Sequence, residues 1–247
     1  MKALKLFLFL IVLIVSCDDE LVIDTTKDTV SDPIADITAL GNYFYTTNYD
    51  LSFKAGSQID LMRFTTEGLL DNQFDLNMNG QGYLAITNDG QNIYLLSRRT
   101  NLIVKISTTG EKIYLKQQKV EPNWQAAGIC YLNDKDSILM LYRNLRYREQ
   151  YKFNIVDKNN PNNIGSDFIK TFNEFSGNDG GIFSIEYSNN NFYFIGVDTT
   201  MSINLKITDK NFTAISSEEI VDSTVVGLCI KNGDLYFSHN DRRITKK

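Results

Sequence analysis

Apolar residues in this chain fall into short runs separated by clusters of asparagine, aspartate and glycine, and the arrangement recurs along its length. Segments 37–45, 84–96, 128–141, 182–195 and 227–237 each carry two apolar runs flanking a polar turn. Two such runs joined by turn-forming residues predict a β-hairpin. A second mark follows most of these hairpins: an apolar residue, a basic one, another apolar, then serine or threonine. It reads Met62-Arg63-Phe64-Thr65, Val104-Lys105-Ile106-Ser107 and Leu205-Lys206-Ile207-Thr208, and returns as Arg242-Arg243-Ile244-Thr245 with arginine leading. The first two continue to Gly68 and Gly110, whereas the third repeat departs to Phe153-Asn154-Ile155-Val156-Asp157. Alternation before a turn predicts a third strand, its basic residue on the solvated side.

A period of about 46 residues with three or four short strands per unit is the pattern of a propeller blade. The basic–apolar–polar mark ahead of a turn glycine resembles the third strand of NHL-type β-propellers, over residues 34–247. That resemblance implies an all-β propeller. A sandwich or an open barrel would not repeat hairpin and third strand in register. Five repeats imply five blades, the last stopping at Lys247 just after its third strand. Upstream, residues 21–26 form a spare strand-like run before Asp32-Pro33. Pairing that run with the last blade predicts a 3+1 closure that removes exposed strand edges. The alternatives are a fifth blade of three strands or a shortened relative of six- or seven-bladed rings.

The N-terminus carries a different signal. Lys2 and Lys5 precede an apolar stretch over 6–15. Ten helical residues rise only about 15 Å, half of a ~30 Å hydrocarbon core. The pattern is that of a signal peptide over 1–16. Ile14-Val15-Ser16-Cys17 resembles the lipobox of bacterial lipoproteins, which implies cleavage before Cys17 and diacylglycerol modification of that residue. A lipid anchor in the membrane follows, because each buried methylene adds roughly 0.8 kcal/mol. Asp18, Asp19 and Glu20 resemble the export signal of Bacteroidetes-type lipoproteins, which implies the outer membrane and its cell-surface face. The periplasmic face is the alternative. Residues 17–33 then serve as lipidated tether and closing strand, ahead of a propeller domain over 34–247.

Composition narrows the partners. Loss of Lys2 and Lys5 with the signal peptide takes the formal net charge from −5 to −7. An acidic chain argues against nucleic acid as partner, despite the interleaved arginines and tyrosines over 142–148. Cys130 and Cys229 make an even pair in an exported chain, but they occupy matching places on first strands of non-neighbouring blades. Buried free thiols are expected there in preference to a disulfide. One histidine in the whole chain cannot build a histidine metal site, and no calcium loop or serine nucleophile elbow is present. No cofactor is implied.

The loops that enter first strands, and those joining second to third strands, gather on one propeller face. They carry Arg98, Arg99, Trp124, Arg143, Asp198 and His239. Arginines beside an aromatic suit a carboxylate, a sugar or a polar protein rim. The expected role is therefore a non-catalytic binding or scaffolding module for an outer-membrane protein complex or an extracellular glycan. An enzymatic alternative rests on Asp32-Pro33-Ile34, which resembles the opening motif of five-bladed glycoside hydrolases and would make Asp32 a catalytic base. That chemistry needs two carboxyl groups. At the first-strand positions of later blades, where those enzymes keep the others, the chain offers Ala85, Ile129 and Ser184.

Overall fold

Each hairpin with its third strand becomes one antiparallel sheet because three or four strands with apolar faces must be covered on both sides. In a computed structural model that describes residues 22–24, 34–48, 61–76, 83–97, 100–117, 121–161, 164–176 and 181–247, five four-stranded sheets form. In chain order, β1 is Val22–Asp24, and β2 (Ile34–Leu40), β3 (Tyr43–Asn48), β4 (Leu61–Thr65) and β5 (Leu70–Phe74) build blade 1. Blade 2 comprises β6 (Tyr83–Asn88), β7 (Asn92–Ser97), β8 (Leu102–Ser107) and β9 (Lys112–Gln117). Blade 3 comprises β10 (Trp124–Leu132), β11 (Ser137–Asn144), β12 (Gln150–Asp157) and β13 (Ile164–Thr171). Blade 4 comprises β14 (Gly181–Ser188), β15 (Asn191–Val197), β16 (Ile203–Asp209) and β17 (Ala214–Ile220). Blade 5 comprises β18 (Val225–Lys231), β19 (Asp234–His239), β20 (Arg243–Lys246) and, from the start of the chain, β1.

The 3+1 closure is therefore present: Val22, Ile23 and Asp24 pair antiparallel with Thr245, Ile244 and Arg243. First strands β2, β6, β10, β14 and β18 neighbour one another in ring order, and β18 returns to β2. The fold is an all-β, five-bladed propeller. Each junction has its own apolar cluster. Tyr45 and Leu61 meet Ile86 and Leu95 between blades 1 and 2, and Leu141 and Phe153 meet Ile182 and Phe194 between blades 3 and 4. Burial at about 25 cal/mol per Å² of apolar surface drives this face-to-face stacking.

Two bulges recur in register. The first and second strands slip by one residue between Ile34 and Ile37, Tyr83 and Ala85, Ala126 and Gly128, Ile182 and Ser184, and Val225 and Gly227. In blades 1 to 4 the third and fourth strands slip just before the outer turn, for example between Lys105 and Ile106. A bulge bends its strand and increases local twist. The inner one turns each first strand where it passes the ring axis.

At Arg63, Lys105 and Lys206 the repeated basic residue packs into a blade junction, contrary to the alternation, whereas the Arg243 side chain stays 32 % exposed. Lys105 is buried, with its ammonium 5.4 Å from the Tyr94 ring centre and its Nζ donating to Asn159 of the next blade at 3.2 Å. Arg63 pairs with Asp71 and donates to the Thr108 carbonyl of blade 2 at 3.1 Å. Lys206 pairs with Glu174, in the short 3-10 turn Asn173–Phe175 that leads into blade 4, and lies over Phe172. Third strands are sandwiched between neighbouring blades, so a face polar in sequence becomes a junction.

Candidate functional site

The inner edge of the ring is tied by one carboxyl group. Asp36, on β2, takes the inward place that Ala85, Gly128, Ser184 and Gly227 hold in the later blades, each the first residue after the inner bulge. Small residues at those four places leave room for it. A Cβ on Gly227 would overlap Asp36 Oδ1 and lie 2.6 Å from Ser238 Oγ, so this close approach requires glycine. Asp36 Oδ1 accepts from the Ile37 amide at 3.0 Å and the Ser184 hydroxyl at 2.9 Å, and Oδ2 accepts from the Ile86 amide at 3.2 Å. Ser184 Oγ in turn accepts from the Leu228 amide at 3.2 Å. Asp36 thus ties blades 1 and 2 through inner-edge N–H groups and blade 4 through a hydroxyl that itself accepts the N–H of blade 5. Thr87 Oγ1 does the same for the Tyr131 amide of blade 3, at 3.1 Å.

Two residues farther along the same strand faces come Thr38, Thr87, Cys130, Glu186 and Cys229. Cys130 and Cys229 are buried free thiols, pushed well up by burial. Glu186 lies deep among protein atoms yet keeps partial solvent contact, as a channel-lining residue does. Burial raises Asp36 to about 8, against the lowering effect of its bonds to Ser184, Ile37 and Ile86 and of the nearby Leu228 amide. Burial raises Glu186 to about 8 as well, reinforced by the Asp36 charge and opposed by the Tyr187 amide. Two carboxyl groups that resist ionisation therefore share the axis. Among the described residues no group of three or more histidine, cysteine, aspartate or glutamate side chains is placed to hold a metal.

The residues expected on the loop face are largely committed to their own surroundings. Cys17, Asp32, Arg98 and Arg99 lie outside the described residues. Arg143 is buried in β11, where its Nε donates to the Arg148 carbonyl at 3.1 Å and its guanidinium lies against Gly181. Trp124 opens β10, half-buried and paired in register with Asn144. Asp198 caps its own turn, accepting from the Thr200 amide at 2.8 Å, the Thr200 hydroxyl at 2.7 Å and Asn204 Nδ2 at 2.9 Å. His239 is 2 % exposed at the end of β19, with Nδ1 2.9 Å from Thr224 Oγ1 and Nε2 2.8 Å from Thr245 Oγ1. Trp124 and Arg143 share one sheet of blade 3, whereas Asp198 and His239 serve blades 4 and 5 separately.

That same blade holds the 142–148 run of interleaved arginines and tyrosines, where partner binding is the lesser sequence reading. Asn144 Oδ1 accepts from the Arg146 and Tyr147 amides at 2.9 and 3.0 Å, and the Leu145 amide donates to the Asn123 carbonyl at 2.7 Å. The loop is thereby pinned with Leu145, Arg146 and Tyr147 facing outward, Leu145 53 % and Tyr147 47 % exposed. The alternation of arginines and tyrosines over 142–148 does not itself show that Leu145 and Tyr147 stand exposed at the tip. Asp36 and Glu186 were missed. Their signal is a lone acid in an apolar strand where other repeats hold small or uncharged residues. Gly128, not Ile129, is the blade 3 counterpart of Ala85 and Ser184, each being the first paired residue after its inner bulge.

No protein-family model matches the chain, and no curated protein matches its sequence. Solved structures resemble it in shape. Glutaminyl cyclase of Myxococcus xanthus matches with a TM-score of 0.62 at 11% identity, over 87% of this chain and 89% of that one. A chain of the nidogen/laminin complex matches with a TM-score of 0.51 at 12% identity, over 80% of this chain and 68% of that one. A streptogramin B lyase structure matches with a TM-score of 0.48 at 14% identity, over 87% of this chain and 64% of that one. At such identities the first two likenesses are of fold, and they agree with the sheet order in making this chain a β-propeller.

Proposed function

We propose that this chain is a lipid-tethered, non-catalytic propeller that binds a protein or glycan partner at the outer membrane through its loop face. The observation that carries the binding role is the pinned loop of blade 3, which holds Leu145, Arg146 and Tyr147 outward beside Trp124. Tyrosine, tryptophan and arginine dominate the energetics of interfaces, and a preordered loop loses little entropy on binding. Asp36 supports the non-catalytic half of the reading, since its oxygens are engaged in holding blades together. The tether rests on the Ile14-Val15-Ser16-Cys17 motif.

One experiment with two arms tests this. Cells expressing the chain are fed an alkyne palmitate analogue, and the protein is cross-linked to its neighbours and recovered. Wild type is expected to carry the label and a defined cross-linked partner. Cys17→Ser is expected to lose the label. Leu145→Ser with Tyr147→Ser is expected to keep the label and lose the partner, because truncating two interface anchors at about 1–2 kcal/mol each weakens binding by 30-fold or more, roughly. Label on Cys17→Ser would end the lipoprotein reading. An undiminished partner on the double variant would end the loop-face reading.

A further inference from the structure

On the opposite face, where the hairpin turns lie, blades 3 and 4 enclose a cavity of about 290 Å³. Its floor is apolar and aromatic, with Leu139, Ile155, Phe168, Phe192 and Phe212. Lys135 and Lys210 stand at its rim and, among the described residues, neither forms an ion pair. Its lining holds one acid, Asp134, beside Tyr187.

The wall is built in an unusual way. The outer turns of blades 1, 2 and 4 share one hydrogen-bond pattern, the fourth residue's amide donating to the first residue's carbonyl. In blades 1 and 2 that fourth residue is Gly68 or Gly110, at φ +82° and +84°. In blade 4 it is Phe212, at φ +67°. A bulky side chain in the left-handed region is an outlier that only surrounding structure sustains, and such outliers gather at ligand sites. The contrast with the junction of blades 1 and 2 is direct. There Phe74 lies against Gly110, with no room for a Cβ. Its register counterpart in blade 3, Phe168, instead faces the Phe212 ring at 5.4 Å between centroids. Phe212 also stacks on Phe192 at 4.8 Å and 13°. The turn thus carries a ring where those of blades 1 and 2 carry hydrogen, and the ring walls a cleft.

We infer that this cleft is a binding site for a small amphipathic anion: an aromatic or branched apolar body carrying one carboxylate. The body would lie on Phe168, Phe192 and Phe212, and the carboxylate would reach Lys135 and Lys210 at the mouth. The volume is near the lower end of the ~300–1,000 Å³ range of ligand pockets, which suits a small molecule and not a polymer. The site lies on the face opposite the proposed partner surface and is independent of it.

The test uses the purified full chain with 4-phenylbutyrate and its uncharged amide as probes, read by saturation-transfer NMR and isothermal titration. Wild type is expected to bind the acid with a Kd of about 1 mM or tighter, and the amide about 10-fold more weakly, as one charge-assisted contact would give. Lys135→Ala with Lys210→Ala, both exposed, should bring acid and amide to within about 2-fold of each other. Phe212→Gly should weaken both probes about 10-fold, the ring being lost while the turn keeps its favoured residue. The inference is overturned by an acid that gives no signal at ~10 mM, by equal binding of acid and amide to wild type, or by a double lysine variant that keeps the discrimination.

Discussion

Replacing Asp36 with alanine is expected to lower the melting temperature by about 6–12 °C. The Ile37 and Ile86 amides and the Ser184 hydroxyl all donate to its oxygens in a fully buried setting. Each buried donor left without an acceptor costs about 1 kcal/mol or more, so roughly 3 kcal/mol is lost. For a chain of this size each kcal/mol moves the transition by about 2–4 °C. Asp36→Asn keeps a carbonyl acceptor and should lose less. Gly227→Ala should behave like a milder Asp36→Ala, because its methyl would displace Oδ1. Calorimetric scans of the three variants check the order. An Asp36→Ala transition within 2 °C of wild type, roughly, would remove the carboxyl from its place as the ring's tie.

The same group sets the direction of pH dependence. The folded chain holds Asp36 at about 8 against an ordinary 3.8, and Glu186 at about 8 against 4.5. Through that window the folded state keeps protons that the unfolded chain releases. Stability from these two groups is therefore full below the ordinary carboxylate range and falls as pH rises toward 8. The melting temperature should decline between about pH 5 and pH 9, and Asp36→Asn with Glu186→Gln should flatten that decline. A wild-type melting temperature rising over the interval would contradict the burial of both groups.

Deleting residues 18–30 is expected to cost the second-largest share of stability. It removes β1, whose three residues pair with Thr245, Ile244 and Arg243. Two or three backbone hydrogen bonds at about 1 kcal/mol each correspond to a drop of roughly 5–10 °C. The deletion also turns β20 into an exposed edge, which templates association between chains. Light scattering during the melt should show earlier aggregation than in the full-length chain. An unchanged transition with no added scattering would mean that the strand closes nothing of energetic consequence.

The hairpins, the third strands, the count of five and the closing strand are legible in the order of residues because each depends on local alternation and turn chemistry. Asn189 and Asn190 at φ +51° and +62°, or Asn232 and Gly233 at φ +55° and +89°, turn a chain wherever they fall between two apolar runs. The free thiols were legible too, since matching positions on non-neighbouring blades cannot bring Cys130 and Cys229 within bonding distance. Other features belong to the assembled ring alone. Lys105 and Lys206 read as solvated because alternation distinguishes two faces of a strand, but in a propeller the neighbouring blade covers the second face. His239 and Arg143 read as loop groups and end as buried supports, because their partners come from loops and strands that only the completed blades bring alongside. Asp36 is the clearest instance. Nothing within its own strand shows that Ile86, Ser184 and, through Ser184, Leu228 lie within reach, for that proximity exists only when all five first strands converge on one axis.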